Sequence, residues 1–167
     1  MSLFQELILI SLGKRDSFSR RLTDKDWTLI YTEAQRQSLV GVLLKGVEKA
    51  IASGENKPKF LMQWIAQTLT LENRNRQLEA RCKDITDIFN GIGLRSCVLK
   101  GQGVAMLYPN PLRRQSGDID LWVEGNRGDI YKTLKARWKV GETFIHHTEV
   151  EFFKDTPTEI HFIPSFT

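Results

Sequence analysis

Cysteine and long apolar runs are scarce in this chain of 167 residues. Both shortages argue against particular classes of protein, namely disulfide-rich, zinc-binding and membrane-spanning proteins. The two cysteines, Cys82 and Cys97, form neither a zinc-binding pattern nor a disulfide framework, which favours a reducing compartment. The apolar run LILISL near the start is too short to cross a bilayer, and no basic segment precedes it as in a signal peptide. We therefore expect a soluble cytoplasmic protein.

Several familiar nucleotide and metal motifs are also missing. The chain has no P-loop, and GIGLRS (91–96) lacks the third glycine of a dinucleotide-binding fingerprint. The adjacent histidines His146 and His147 lack the spacing of a metalloprotease. The net charge of +4 suits a phosphate-bearing ligand, but an ordinary solvated surface explains it equally well. These absences argue against three familiar classes of nucleotide- or metal-binding site, but the composition does not indicate which function the chain has.

Apolar residues at helical spacing dominate the first 93 positions. They predict a helix near the start, a second capped by Thr23 or Asp24, a third over about 39–52, and a long fourth helix. One face of the long helix carries Leu61, Ile65, Leu69, Leu78, Cys82, Ile85 and Phe89. Gly91 and Gly93 are expected to end it. We predict an N-terminal helical region over residues 1–93.

The pattern changes after Gly93. Short apolar or alternating runs predict strands at SCVL and DIDLWV, and two further strands over 143–154 and 158–163. A helix is expected over 127–137, and GVAMLY fits either a helical turn or a short helix. We predict an α+β protein, in which a small mixed sheet with helices over residues 94–167 follows the helical region.

The motif DIDLWV (118–123) places two carboxylates on one face of a strand. Asp118 and Asp120 share that face, about 7 Å apart, while apolar residues face the core. Two such acids repel each other unless a cation lies between them, and hard oxygen ligands suit Mg²⁺. The alternative is an exposed strand with two solvated acids, and the triplet alone cannot decide between them.

A glycine-rich turn lies upstream of these acids. Gly101 and Gly103 would let backbone amides approach a phosphate closely, and a helix opening here would add a favourable dipole. Lys100 and Arg114 could neutralise further negative charge. The segment Leu44–Gly46 also spells LKG, with no acidic pair behind it. The prediction therefore depends on the combination of turn and acids.

A third carboxylate is expected on a neighbouring strand, because two acids rarely complete a metal site. The segment TEIHF (158–162) puts Glu159 and His161 on one face and apolar residues on the other. We prefer Glu159 to Glu149 and Glu151, because its neighbours alternate cleanly. For His161, contact with a ligand and simple packing on the strand are equally compatible with the pattern.

Together, LKG, a Tyr-Pro segment, Arg114 four residues before DIDLWV, and EIH resemble the polymerase-beta-type nucleotidyltransferase superfamily. More narrowly, they are similar to the bacterial "uncharacterised nucleotidyltransferase" family, over roughly residues 97–162. The resemblance implies a nucleotidyltransferase-like fold. It also implies metal-dependent transfer of a nucleoside monophosphate from a nucleoside triphosphate to an acceptor hydroxyl, with release of pyrophosphate.

The resemblance also implies roles for individual residues. The implied catalytic and metal-binding residues are Asp118, Asp120 and Glu159, holding Mg²⁺ or Mn²⁺. The implied nucleotide-binding residues are Lys100, Gly101, Gln102 and Arg114. Glu159, or a hydroxyl bound to the metal, would take the proton of the acceptor. The acceptor stays open among a small molecule, a protein side chain and RNA.

The chain departs from the family pattern in two places. The turn reads Gly-Gln where Gly-Gly or Gly-Ser is usual, and the loop between turn and acids is longer. The chain also stops soon after the proposed third acid, as expected of a fragment or a minimal form. These features favour an alternative, a non-catalytic module that binds a nucleotide or a partner protein on the same fold. The intact carboxylate set favours the enzyme.

Overall fold

A computed structural model describes residues 1–164 of the chain. Within them the helices are α1 (Leu3–Ser11), α2 (Asp24–Arg36), α3 (Val40–Ala52), α4 (Leu61–Gly91), α5 (Gly101–Ala105) and α6 (Arg127–Arg137). The strands are β1 (Ser96–Val98), β2 (Ile119–Val123), β3 (Val140–Thr143), β4 (His147–Val150) and β5 (Thr158–His161). Helices come first and a mixed sheet follows, so the predicted α+β class is confirmed.

The first compact unit contains residues 1–75 and 108–115 and is almost entirely helical. Capping boxes begin its first two helices, with Ser2 capping α1 and Thr23 capping α2. Its core lies between the apolar faces of α1 to α3 and the start of α4. Its largest fully buried side chains are Leu7, Ile10, Trp27, Leu43 and Trp64.

One buried carboxylate connects α1 to the following loop. Glu6 accepts hydrogen bonds from the backbone amide and the hydroxyl of Ser19, and its carboxylate lies 3.4 Å from the Arg15 guanidinium. Burial alone would raise the pKa of Glu6, but these bonds and the Arg15 charge together hold the pKa below its ordinary value. The ionised form of Glu6 therefore fixes the loop that leads into α2.

The second compact unit contains residues 76–107 and the segment from Ser116 onward. Its sheet has the order β1-β2-β5-β4-β3, in which β2 and β5 are parallel and the other neighbours antiparallel. One face of the sheet carries Ile119, Leu121 and Ile160, which belong to one apolar core with the end of α4 and with α6. The other face carries polar side chains and is available for a site.

The compact units divide the chain inside α4, between Asn75 and Arg76. The domain boundary after residue 93 therefore stays a prediction, and residues 165–167 of the second predicted domain lie outside the described residues. The strand predicted over 143–154 is present only as the shorter β4, and β3 before it was not predicted. Two antiparallel strands, β3 and β4, flank a turn at residues 144–146. That turn contains no glycine or proline, so the sequence has no turn signal between the two strands.

Among residues 1–164, none of the helices combines the length and the apolar character that a membrane span requires.

Candidate active site

The pairing of β2 with β5 positions the candidate site. These strands are parallel, and their register aligns Asp120 with Glu159 and Trp122 with His161. Aligned residues on neighbouring strands project to the same face, with the strands about 4.8 Å apart. The alternation that buries Ile119 and Leu121 therefore directs Asp120 away from the core, to the face that carries Glu159 and His161.

Three side chains converge on this face. The Nε2 atom of His161 lies 2.9 Å from Oδ1 of Asp120 and 3.3 Å from Oε2 of Glu159. One potential ligand atom from each residue lies within 4.8 Å of the others, and within residues 1–164 no other Asp, Glu, His or Cys joins this group. The side chains of Asp120 and His161 are 4% and 8% exposed, whereas that of Glu159 is 28% exposed. The cluster is thus buried at Asp120 and open to solvent at Glu159.

Lys100 provides a positive charge at the edge of the cluster. Its ammonium lies 3.0 Å from Oδ1 of Asp120, although the Lys100 side chain is 66% exposed. The hydrogen bond to Asp120 raises the pKa of Lys100; partial burial opposes this, and the negative charges of Asp120, Glu159 and Asp118 add to the increase. All three sequence-predicted carboxylates therefore act electrostatically on one lysine.

Asp118 has a different position from the other two acids. It is half-buried and immediately precedes β2, which begins at Ile119. Its backbone carbonyl would lie 3.4 Å from a Cβ added at Gly101, so the glycine-rich turn passes close to it. Its carboxylate is not part of the converging group around His161. The catalytic and metal-binding roles of Asp118 stay predictions.

The glycine-rich turn adjoins the site and is fixed by the backbone. The amide of Leu99 donates to the carbonyl of Asp120, which holds the turn beside β2. Helix α5 begins at Gly101, whose φ of 42° lies in the left-handed region that favours glycine. A Cβ at Gly103 would lie 2.9 Å from the carbonyl oxygen of Val98. Both glycines thus allow close backbone contacts within the chain, and Gln102 between them is buried.

The other predicted nucleotide-binding residue, Arg114, belongs to the first compact unit. It ends the 3-10 turn Pro111–Arg113, and its carbonyl accepts a hydrogen bond from the side-chain amide of Asn75. The structure brings Lys100 to Asp120, within the second compact unit. The nucleotide-binding roles of Lys100, Gly101, Gln102 and Arg114 stay predictions.

Two more histidines surround the cluster and were not predicted as part of it. The ring of His147 lies 5.3 Å from that of His161, and its Nε2 atom lies 3.7 Å from Oε2 of Glu159. The ring of His146 lies 4.4 Å from that of His147. A cavity of about 170 Å³ opens here, lined by Leu99, Lys100, His146, Glu159, His161, Ile163 and Pro164. The antiparallel register of β4 with β5, which aligns His147 with His161, is not visible in the sequence.

The donor set fits a divalent cation. Ligand atoms about 2.1 Å from an octahedral ion are about 3.0 Å apart when adjacent and about 4.2 Å apart when opposite. Nε2 of His161 lies 2.9 Å and 3.3 Å from the oxygens of Asp120 and Glu159, near the adjacent-ligand value, and all three atoms lie within 4.8 Å of one another. An ion here would be held by the three side chains and would remain accessible from the Glu159 side, where phosphate oxygens could complete its coordination.

Comparison with known protein families gives a match over most of the chain. The model of the family described as "Uncharacterised nucleotidyltransferase" matches residues 23–153. The match includes Lys100, Asp118 and Asp120 and ends before β5, which carries Glu159 and His161. No curated protein and no solved structure matches the chain at a significant level.

Proposed function

Because the chain belongs to the uncharacterised nucleotidyltransferase family, we propose that it moves a nucleoside monophosphate from a nucleoside triphosphate to an acceptor hydroxyl. Pyrophosphate is the second product. The observation that carries this proposal is the buried carboxylate of Asp120, aligned with Glu159 on an open sheet face and contacted by the ammonium of Lys100. A fold stabilised only by burial would not place two acids side by side there.

Each residue contributes through its position. A divalent cation such as Mg²⁺ or Mn²⁺, held by Asp120 and Glu159 with Asp118 nearby, would stabilise negative charge on the attacking and leaving oxygens. Lys100 is exposed enough to turn from Asp120 toward a phosphate oxygen, which makes it the first phosphate-binding group of the turn. Glu159 is the most exposed acid of the cluster, so it can accept the proton of the acceptor hydroxyl.

A non-catalytic nucleotide- or partner-binding module is the second candidate. Gln102 favours it, because a buried glutamine stands where the family usually has glycine or serine. A turn altered in this way could retain a nucleotide without positioning its phosphates for attack.

The test is incubation of the protein with Mg²⁺ or Mn²⁺ and each labelled nucleoside triphosphate, followed by measurement of pyrophosphate and of label on the protein or on added acceptors. We expect Asp120→Asn and Glu159→Gln to lower turnover at least about 100-fold, because each removes negative charge from the reacting centre. Glu142→Gln is the matched control, since Glu142 is an exposed acid of the same sheet outside the cluster.

Two results would contradict the enzyme. Nucleotide binding without pyrophosphate from any of the four triphosphates would favour the binding module. Equal turnover by the wild type and Asp120→Asn would remove the carboxylates from the mechanism altogether.

A further inference from the structure

We infer that His161 is a metal ligand, and that the site it forms with Asp120 and Glu159 prefers a transition-metal ion such as Mn²⁺ to Mg²⁺. The role of that ion in turnover rests on the proposed function, but its binding does not. The sequence pattern predicted only carboxylates as metal ligands and left the role of His161 open, and the family match ends before His161.

The first argument is geometric. Nε2 of His161 lies 2.9 Å and 3.3 Å from one oxygen of each carboxylate. These separations are close to the roughly 3.0 Å between adjacent ligands of an octahedral ion with bonds of about 2.1 Å. A small outward movement of Glu159, the most exposed of the three, would admit an ion without changing the backbone.

The second argument concerns how firmly the imidazole is held. His161 is on β5 between β2 and β4, aligned with Trp122 on one side and His147 on the other. Its side chain is almost fully buried, so its ring direction is set by packing. A ligand fixed in this way binds an ion with little loss of side-chain freedom.

The third argument is chemical. Mg²⁺ takes oxygen ligands and dehydrates reluctantly, whereas imidazole nitrogen suits transition-metal ions. Replacing one of three oxygen ligands by nitrogen therefore shifts the preference toward Mn²⁺, Co²⁺ or Zn²⁺. Two carboxylates in the same set retain affinity for hard ions, which keeps Mn²⁺ favourable.

A competing arrangement predicts that substituting His161 would strengthen metal binding instead of weakening it. A protonated His161 could simply neutralise the two carboxylates as an imidazolium, in the way Lys100 already neutralises Asp120. Such a cation would compete with a metal ion for the same oxygens. Its removal would then strengthen metal binding, whereas removal of a ligand must weaken it.

The experiment uses the full chain, first stripped of metal with a chelator and then titrated with Mn²⁺. Pulsed electron paramagnetic resonance of the bound Mn²⁺ should detect coupling to a ¹⁴N nucleus in the wild type. This measurement tests ligation without requiring any variant to fold. No coupling from bound Mn²⁺, or no binding of Mn²⁺ up to millimolar concentrations, would overturn the inference.

Variants then identify the nitrogen. We expect His161→Gln to abolish the ¹⁴N coupling and weaken Mn²⁺ binding by about tenfold or more, with a smaller effect on Mg²⁺. His146→Gln is the matched control, since His146 lines the same cavity but is outside the converging group, and should retain the coupling. Stronger Mn²⁺ binding by His161→Gln would support the imidazolium and overturn the ligand.

The two proposals can fail separately. Nitrogen coupling without nucleotidyl transfer would overturn the proposed function and leave His161 as a ligand. Nucleotidyl transfer by a protein whose Mn²⁺ shows no nitrogen coupling would overturn this inference and leave the function intact.

Discussion

Asp120 and Leu121 are adjacent on β2 but face opposite sides of the sheet, so substituting each in turn separates the chemistry from the fold. Leu121 is fully buried in the core, and Leu121→Ala should lower the free energy of unfolding by about 2–5 kcal/mol. With metal removed, Asp120→Asn should change it by no more than about 1 kcal/mol, because an ion pair with an exposed lysine contributes about 0–1 kcal/mol. The amide oxygen of the asparagine can still accept a hydrogen bond from Nε2 of His161, so that buried contact is retained. Relief of repulsion with Glu159 offsets part of that loss.

Urea unfolding followed by far-ultraviolet circular dichroism, in the presence of a chelator, measures both changes. The effects on turnover should be the reverse of the effects on stability. Asp120→Asn should be inactive, whereas the folded fraction of Leu121→Ala should still be active. The reasoning would be refuted if Asp120→Asn destabilised the metal-free protein as much as Leu121→Ala does. Asp120 would then be a structural residue that pairs with His161 and Lys100.

Three further predictions concern the rest of the chain. Gly46→Ala should destabilise the protein by about 1–3 kcal/mol, because the added Cβ would clash with Oγ of Ser11 and lie 2.9 Å from Cδ1 of Leu7. Gly91→Ala, with no neighbour within 4 Å, should not destabilise it. Exposed Cys97 should react with a maleimide at neutral pH far faster than Cys82, whose pKa burial raises to about 11 with help from a nearby acid; equal rates in the native protein would contradict this. Because the pKa of Glu6 is lowered in the fold despite its burial, its contribution to stability is present above about pH 4.5 and is lost as the pH falls further. Glu6→Gln should therefore flatten the acid side of a plot of stability against pH, and an unchanged slope would exclude this role.

Local signals in the sequence were sufficient for the helices. The caps at Ser2 and Thr23, and the glycines Gly91 and Gly93 at the end of α4, lie within a few residues of the helix ends that they define. The strand at DIDLWV was also predictable, because its alternation is strict. The hairpin of β3 and β4 was not, because the turn between them has no glycine or proline to mark it.

For the site, the sequence predicts the face of the strand on which each residue lies, but not which strands are neighbours. Alternation alone puts Glu159 and His161 on one face of β5, and Asp120 on one face of β2. Whether those faces meet depends on the parallel register of two strands separated by the 34 residues between Val123 and Thr158. The same limitation applies to Arg114, because its sequence position near the acids did not predict the compact unit to which it belongs.

The position of β5 has a consequence for how the protein is made. It follows β4 in the chain, yet it lies between β2 and β4 at the centre of the sheet. On a ribosome, the pairs β1–β2 and β3–β4 can form as soon as they emerge, but nothing joins them until β5 inserts between them. The pairings it makes are distant in sequence on the β2 side, which slows folding. The same insertion brings Glu159 and His161 to Asp120, so the nascent chain cannot acquire the clustered ligands before its sheet is complete.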